Sequence, residues 1–257
     1  MDIIYSIILG AIQGLTEFLP ISSSGHLVIL HDFLKFNLES DLAFDVALHT
    51  GTLLALLTFF FKDIIHYFTK ERKMLWIILV GAFPAALVGF FLEDVIDFYL
   101  RFSWIVAIML IIGGILFLVA EKYSKLLLDL KDLTWKKALF VGLAQILALI
   151  PGTSRSGITI IAGMGAKLKR EQAARFSFLI GLPIFFGATL IKAYDLTKMN
   201  IPSNEWILFA VGLITAFIVG FLCIKYLLLF LEKHTLKIFA YYRFILAFII
   251  ILFLIFK

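Results

Sequence analysis

The chain has 257 residues, 62% of them hydrophobic and 16% charged, with a net charge of +5. So small a charged fraction excludes an ordinary soluble domain, in which about a quarter of residues are charged. The basic residues cluster in short loops, which is the positive-inside pattern of a polytopic membrane protein rather than a nucleic-acid footprint.

The apolar runs are continuous, as in helices, not alternating as in barrel strands. Asp2 stands where the basic region of a cleaved signal peptide belongs, so residues 2–19 read as a mature helix. That helix is stopped by Pro20 and the serines after it, and a second short apolar piece covers residues 24–31. Broken helices of this kind are tolerated in a membrane only when buried in protein or lining a cavity, so the two pieces predict a re-entrant hairpin. A mixed-charge loop from Asp32 to Asp41 follows. Full spans are predicted near 43–61, 74–92 and 103–120. Lys136 and Lys137 open a segment that breaks at Pro151-Gly152 and resumes over 155–166, a second hairpin. Three further spans fall near 173–194, 206–231 and 239–256. Pro84 and Pro183 lie inside spans and read as kinks. Trp76, Trp104, Trp135 and Trp206 each mark a boundary, as an aromatic belt does. The lone Cys223 reads as packing.

The halves repeat. At a spacing near 132 residues Gln13 pairs with Gln145, Ser22 with Ser154, Ser24 with Ser156 and Gly25 with Gly157. Each half is a hairpin plus three spans, and an odd number of crossings inverts the second half. The expectation is an all-α integral membrane protein, one membrane domain over 1–257, with repeat halves 1–130 and 131–257 related by inverted topology. It has six transmembrane helices and two re-entrant hairpins. Lys62, Lys70, Arg72 and Lys73, then the lysines from Lys122 to Lys137, then Lys167 to Arg175, and finally Lys233 and Lys237, all fall on one side, which is therefore cytoplasmic. Glu93, Asp94, Asp97, Asp195 and Glu205 fall outside, as do both termini.

Two polar islands interrupt this apolar chain, Gln13 to His26 and Pro151 to Thr159. Intramembrane ionisable groups are functional hypotheses by default. Gln13 and Glu17 share a helix face. Glu17 needs a cation or a proton, and a divalent metal shared with a phosphate is a natural partner, since Mg²⁺ is usually held by one or two carboxylates plus substrate phosphates. The plainer alternative is a protonated Glu17 hydrogen-bonded within the bundle. Ser22, Ser23 and Ser24 lead into a half-helix whose free N–H groups suit an anion, beyond what capping alone requires. His26 lies three residues after Ser23, the general form of a hydroxyl beside its base. In the second island Ser154 and Ser156 offer hydroxyls at a helix start, and Arg155 supplies a planar donor fork suited to phosphate oxygens. Arg155 could equally serve as a structural partner of Glu17. Thr159 either completes the anion site or bonds back to its own helix. Asp45 and His49 lie either at the cavity mouth or simply at the interface. These groups, set in a bilayer, suit a lipid phosphate or diphosphate.

The segments Gln13-Gly-Leu-Thr-Glu17-Phe-Leu-Pro-Ile-Ser-Ser-Ser-Gly-His26 and Pro151-Gly-Thr-Ser-Arg155-Ser-Gly-Ile-Thr159 resemble the two signature motifs of the undecaprenyl-diphosphate phosphatases of the bacitracin-resistance (BacA/UppP) type. The resemblance covers essentially the whole chain. It implies an enzyme of the bacterial plasma membrane that hydrolyses undecaprenyl diphosphate to the monophosphate carrier used for peptidoglycan, with a divalent cation (Mg or Ca) and an active site facing the periplasm. By motif, Glu17 is the essential carboxylate and metal ligand, Ser23 the nucleophile and His26 its acid–base partner. Arg155 is catalytic and binds the diphosphate with Ser154 and Thr159. Gln13, Ser22, Ser24 and Ser156 complete the substrate site. The family often has Glu where this chain has Gln13, so the metal dependence should fall on Glu17.

In the expected mechanism Ser23 attacks the terminal phosphorus in line while Arg155 stabilises the transferring group. In a rival version a metal-activated water attacks instead. A second class of function, a transporter or flippase of a polyprenyl phosphate carrier, could use the same inverted-repeat scaffold. A serine protease built on Ser23 and His26 would give Arg155 and Glu17 no role.

Overall fold

The computed structural model describes residues 3–23, 25–26, 41–100, 102–196, 203 and 205–256. The Asp32–Asp41 loop, the half-helix beyond His26 and the site candidate Ser24 lie wholly or largely outside them. The described chain is all-helical. It runs α1 (Ile3–Phe18), α2 (Asp41–Phe59), α3 (Phe61–Thr69), α4 (Arg72–Leu100), α5 (Ser103–Tyr123), α6 (Trp135–Ile146), α7 (Arg155–Gly165), α8 (Arg170–Leu196), α9 (Trp206–Lys233) and α10 (Lys237–Phe256). A further short helix begins at Ser23.

Helices α4, α5, α8, α9 and α10 are long and apolar enough to cross a bilayer, and α2 with α3 makes a sixth if that pair, bent by 60°, is one span. The chain is thus a multi-pass membrane protein. At 1.5 Å per residue α1 and α7 reach only about 24 and 16 Å, short of a hydrocarbon core of about 30 Å. The membrane-crossing part of α4, Arg72–Leu92, ends where the sequence places it. The helix itself runs on to Leu100 through the stretch expected as a loop, because no proline or glycine follows Gly89 to break it. Pro84 and Pro183 both lie inside uninterrupted helices.

The packing pairs α1 with α9 and α4 with α6. Both seams are built on small residues, which let helix backbones approach where lipid provides no hydrophobic drive. On α1, a Cβ at Gly10 would lie 2.6 Å from the Gly212 carbonyl and one at Gly14 would lie 2.9 Å from that of Ala216. On α6, a Cβ at Gly142 would overlap the Gly81 carbonyl of α4. Helix α2 packs on α9 and α8, α8 on α4 and α7, and α5 on α10 and α7. The interior is filled by aromatics such as Phe18, Phe60, Phe117 and Phe178. Many large apolar side chains point outward, Phe90 and Phe98 among them, as a lipid-facing surface requires.

Candidate functional site

The two polar islands meet at the inner ends of α1 and α7. Glu17 occupies the last turn of α1 and is only 8% exposed. Arg155 is the first residue of α7, and its Nη2 lies 3.6 Å from Glu17 Oε1. That separation attracts the charges but is too long for a hydrogen bond. Arg155 Nη1 donates to the Ser177 carbonyl at 3.0 Å, and the guanidinium lies over the Phe185 ring, 4.3 Å from its centroid. Nε and Nη2 are buried with no hydrogen-bond acceptor among the described residues. Gly181 makes room for the guanidinium, since a Cβ there would overlap it.

Glu17 Oε2 accepts from Gln13 Nε2 at 3.0 Å, one turn back on the buried face of α1. The same amide nitrogen lies 3.1 Å from His49 Nδ1, and that ring nitrogen is 4.0 Å from Glu17 Oε2. His49 of α2 therefore lines the site; the sequence left it open between this place and the interface.

Both turns share one design. Ser22 has φ 75° and accepts the Gly25 N–H at 3.3 Å. Ser154 has φ 68° and accepts the Gly157 N–H at 3.2 Å, capping α7. Gly152, at φ 93°, takes the left-handed bend that Pro151 cannot. The turns are also joined, because Ser156 Oγ donates to the Leu19 carbonyl at 3.3 Å and lies 3.3 Å from Ser154 Oγ. Thr159 is fully buried. Its hydroxyl lies 2.6 Å from Ser177 Oγ and 2.7 Å from the Arg155 carbonyl, so it braces the segment that holds Arg155.

Ser23 is half-buried at the start of its helix. His26 does not hydrogen-bond to it among the described contacts. Its Nδ1 lies 2.8 Å from the Ser22 carbonyl and its Nε2 lies 2.7 Å from the Tyr242 hydroxyl, with the two rings stacked. The spacing of three residues brings His26 near Ser23, but the ring is claimed by a residue 216 positions away, beyond what local spacing can show.

Tyr242 and its neighbour Arg243 are the residues that motif reasoning missed. Arg243 is fully buried. Its Nη2 is shared among the carbonyls of Gly152, Thr153 and Met109 at 3.0, 2.9 and 3.1 Å, while Nε donates to the Leu110 carbonyl at 3.3 Å. Gly113 of α5 leaves space for it. No acid partners it among the described residues, and Nη1 has no acceptor. An arginine inside an apolar span was itself the available signal. Consecutive residues of α10 thus tie down both islands, Tyr242 the first and Arg243 the second.

Among the described residues no three His, Cys, Asp or Glu side chains cluster as a ready metal site. Glu17 offers one carboxylate, with the Gln13 amide and His49 beside it. That donor set fits a divalent cation that arrives with phosphate oxygens, not a cage made by protein alone.

A family model described as bacitracin resistance protein BacA matches residues 6–249. Curated relatives named undecaprenyl-diphosphatase align along nearly the whole chain. The one from Thermodesulfovibrio yellowstonii is 45% identical over 257 residues, covering 100% of this chain and 99% of the relative. Those from Halothermothrix orenii and Rubrobacter xylanophilus are 42% and 38% identical, covering 98% and 96% of both partners respectively. With both motifs assembled around one buried carboxylate–arginine pair and a match spanning nearly its full length, the chain belongs to the BacA family.

Proposed function

We propose that this chain hydrolyses undecaprenyl diphosphate to undecaprenyl phosphate and inorganic phosphate, returning the lipid carrier to cell-wall synthesis. The observation that carries the reading is Arg155: a buried guanidinium beside Glu17, at a helix start, with two donor nitrogens that lack acceptors among the described residues. Unpaired buried donors are costly, and a diphosphate oxygen is the acceptor that matches their planar geometry. The N–H groups at the starts of α7 and of the Ser23 helix add partial positive charge for the same anion. A transported anion would also suit these donors, but the relatives are named for a phosphatase activity.

In the proposed reaction Arg155, with Ser154, Ser156, Gln13, Ser22 and Ser24 as surrounding groups and Thr159 bracing the Arg155 segment from behind, holds the diphosphate. Ser23 Oγ attacks the terminal phosphorus, and the bond to the bridging oxygen breaks, releasing undecaprenyl phosphate. The Ser23 proton passes to His26, which must exchange Ser22 or Tyr242 for Ser23 at one ring nitrogen. His26 passes that proton to the departing undecaprenyl phosphate and, neutral again, takes a proton from the water that attacks the phosphoserine; the Ser23 oxygen leaves with that proton and inorganic phosphate is released. A divalent cation (Mg or Ca), when bound, would be held by Glu17 and would neutralise charge on the phosphates. Arg155 stabilises the negative charge spread over the transferring oxygens.

The same proposal includes an inverted repeat of halves 1–130 and 131–257, with two re-entrant hairpins. Its support is the exchange symmetry of the packing, α1 on α9 matching α6 on α4 and α2 on α9 matching α8 on α4. It also includes a plasma-membrane location, the site facing the periplasm and both termini outside, in line with the loop lysines. The deciding experiment is phosphate release from undecaprenyl diphosphate by purified protein in detergent, with and without EDTA. Release that stops with EDTA, and in Glu17→Ala and Arg155→Ala, is expected. Undiminished release from folded Arg155→Ala would overturn the assignment.

A further inference from the structure

Away from the two islands, a cavity of about 480 Å³ opens between α5, α6 and α7. Its size falls within the roughly 300–1,000 Å³ usual for small-molecule sites. The walls are almost wholly apolar: Leu116 and Val119 from α5, Phe140 and Ala144 from α6, Ile161 and Ala162 from α7. Val119 and Phe140 are exposed on the bundle surface, so the cavity is a groove open toward lipid. Only its mouth is polar, where Tyr123, Lys125 and Lys167 stand.

That mouth is built. The loop after α5 is pinned to the end of α7 by the Leu127 and Leu128 N–H groups, each donating to the Lys167 carbonyl at 2.9 Å, and by Lys169 N–H donating to Leu128 at 3.0 Å. Lys125 and Lys167 are therefore fixed on one rim. Lys167 also sits at φ 76°, a conformation in which glycine would be cheaper, yet a lysine stands there. The nearby acid is already engaged: Asp129 pairs with Lys169 at 2.8 Å, which pulls its carboxyl below the usual range. Lys125 and Lys167 have no acidic partner among the described residues. Tyr123, with Lys122 over its ring, and Trp135, with Lys136 over its ring, mark this end as the level of the lipid headgroups.

An apolar groove of this size with two unneutralised lysines at its headgroup end has the form of a lipid site. We propose that it binds an anionic glycerophospholipid, one acyl chain between α5, α6 and α7 and the phosphate between Lys125 and Lys167. The chain would lie against Ile158, Ile161 and Ala162, on the α7 segment that starts with Arg155, so an occupied groove braces the element that carries the site's guanidinium. A neutral lipid would fill the groove but leave both lysines without an anion.

Native mass spectrometry of the full chain tests this independently of phosphatase activity, comparing phosphatidylglycerol with phosphatidylcholine of identical acyl chains. The wild type should retain phosphatidylglycerol preferentially, and each lysine is worth about five-fold in affinity for an anionic surface. Lys125→Gln with Lys167→Gln should abolish the preference while phosphatidylcholine retention stays. Gly165→Leu should reduce retention of both lipids, because a Cβ there meets only Phe140 at 3.8 Å and the larger side chain fills the groove without breaking the fold. Ten millimolar-range inorganic phosphate should not displace the lipid. An unchanged preference in the double lysine variant would overturn the proposal, as would displacement by phosphate alone. Retention of undecaprenyl phosphate in preference to phosphatidylglycerol would overturn the choice of occupant.

Discussion

Ser22 and Ser154 hold the same left-handed backbone, at φ 75° and 68°, and each side chain accepts the N–H of a glycine three residues on. A non-glycine residue there is strained, and strained backbone gathers at functional sites. Here the strain turns the chain sharply enough that a helix begins at once, at Ser23 after the first turn and at Arg155 after the second. Removing the cap at Ser154 should therefore loosen the start of α7. Ser154→Ala should lower stability by about 1 kcal/mol, and Ser22→Ala should do the same at the other turn. Thermal unfolding in detergent checks both, and equal stability of Ser154→Ala and wild type would show that the cap contributes nothing.

Glu17 and Arg155 form a buried pair whose removal has two separable effects. Arg155→Ala leaves Glu17 without its cation in a site where each residue is at most 14% exposed. Breaking a buried pair from one side costs about 3–5 kcal/mol. Glu17→Gln combined with Arg155→Met removes both charges and should recover most of that stability. It should recover no phosphate release, because the phosphate ligand loses its fork. A double variant that regains activity with stability would mean that the pair is structural only.

How much of this was legible in the sequence follows from what each residue must do locally. Pro20 and Pro151 break helices wherever they stand, so the two short pieces were readable. Glu17 and Arg155 could be paired on paper because an isolated charge in hydrocarbon must find a partner. The reach of α4 to Leu100 was obscured by Glu93, Asp94 and Asp97, whose charge resembles a loop though nothing there breaks a helix. The partner of His26 was invisible, because Tyr242 approaches it through the packing of α10, which local spacing does not encode. Ser177 was hidden for the same reason: a serine within α8 carries no sign that Thr159 lies 2.6 Å from it.

The Tyr242 hydroxyl reaches His26 Nε2 at 2.7 Å and stacks on its ring, holding the imidazole in one orientation. Tyr242→Phe keeps the ring and removes the hydrogen bond. If His26 serves Ser23, activity should fall by less than the roughly 10²–10⁴-fold expected for loss of an acid–base group in His26→Ala. Steady-state assays of both variants should rank them in that order. A Tyr242→Phe variant as impaired as His26→Ala would shift the proton-transfer role to the tyrosine.

Arg243 makes the most exacting demand on the fold. Its guanidinium gathers carbonyls from the α5 backbone and from the turn before Arg155, with no carboxylate to neutralise it among the described residues. Arg243→Met would take the guanidinium from the Thr153 carbonyl, at about 1–3 kcal/mol for a buried group left unsatisfied. Arg243→Lys keeps the charge, but one ammonium cannot span the same four oxygens in a plane. The expected result is a lower unfolding temperature for both variants, larger for methionine. Phosphate release should fall in the lysine variant even where it is folded, because the turn that aims Arg155 is no longer fixed. Hydrogen exchange at the amides of 155–158 reads the turn directly: faster exchange in Arg243→Lys is expected, and unchanged exchange together with lost activity would place Arg243 at the substrate instead of behind the turn.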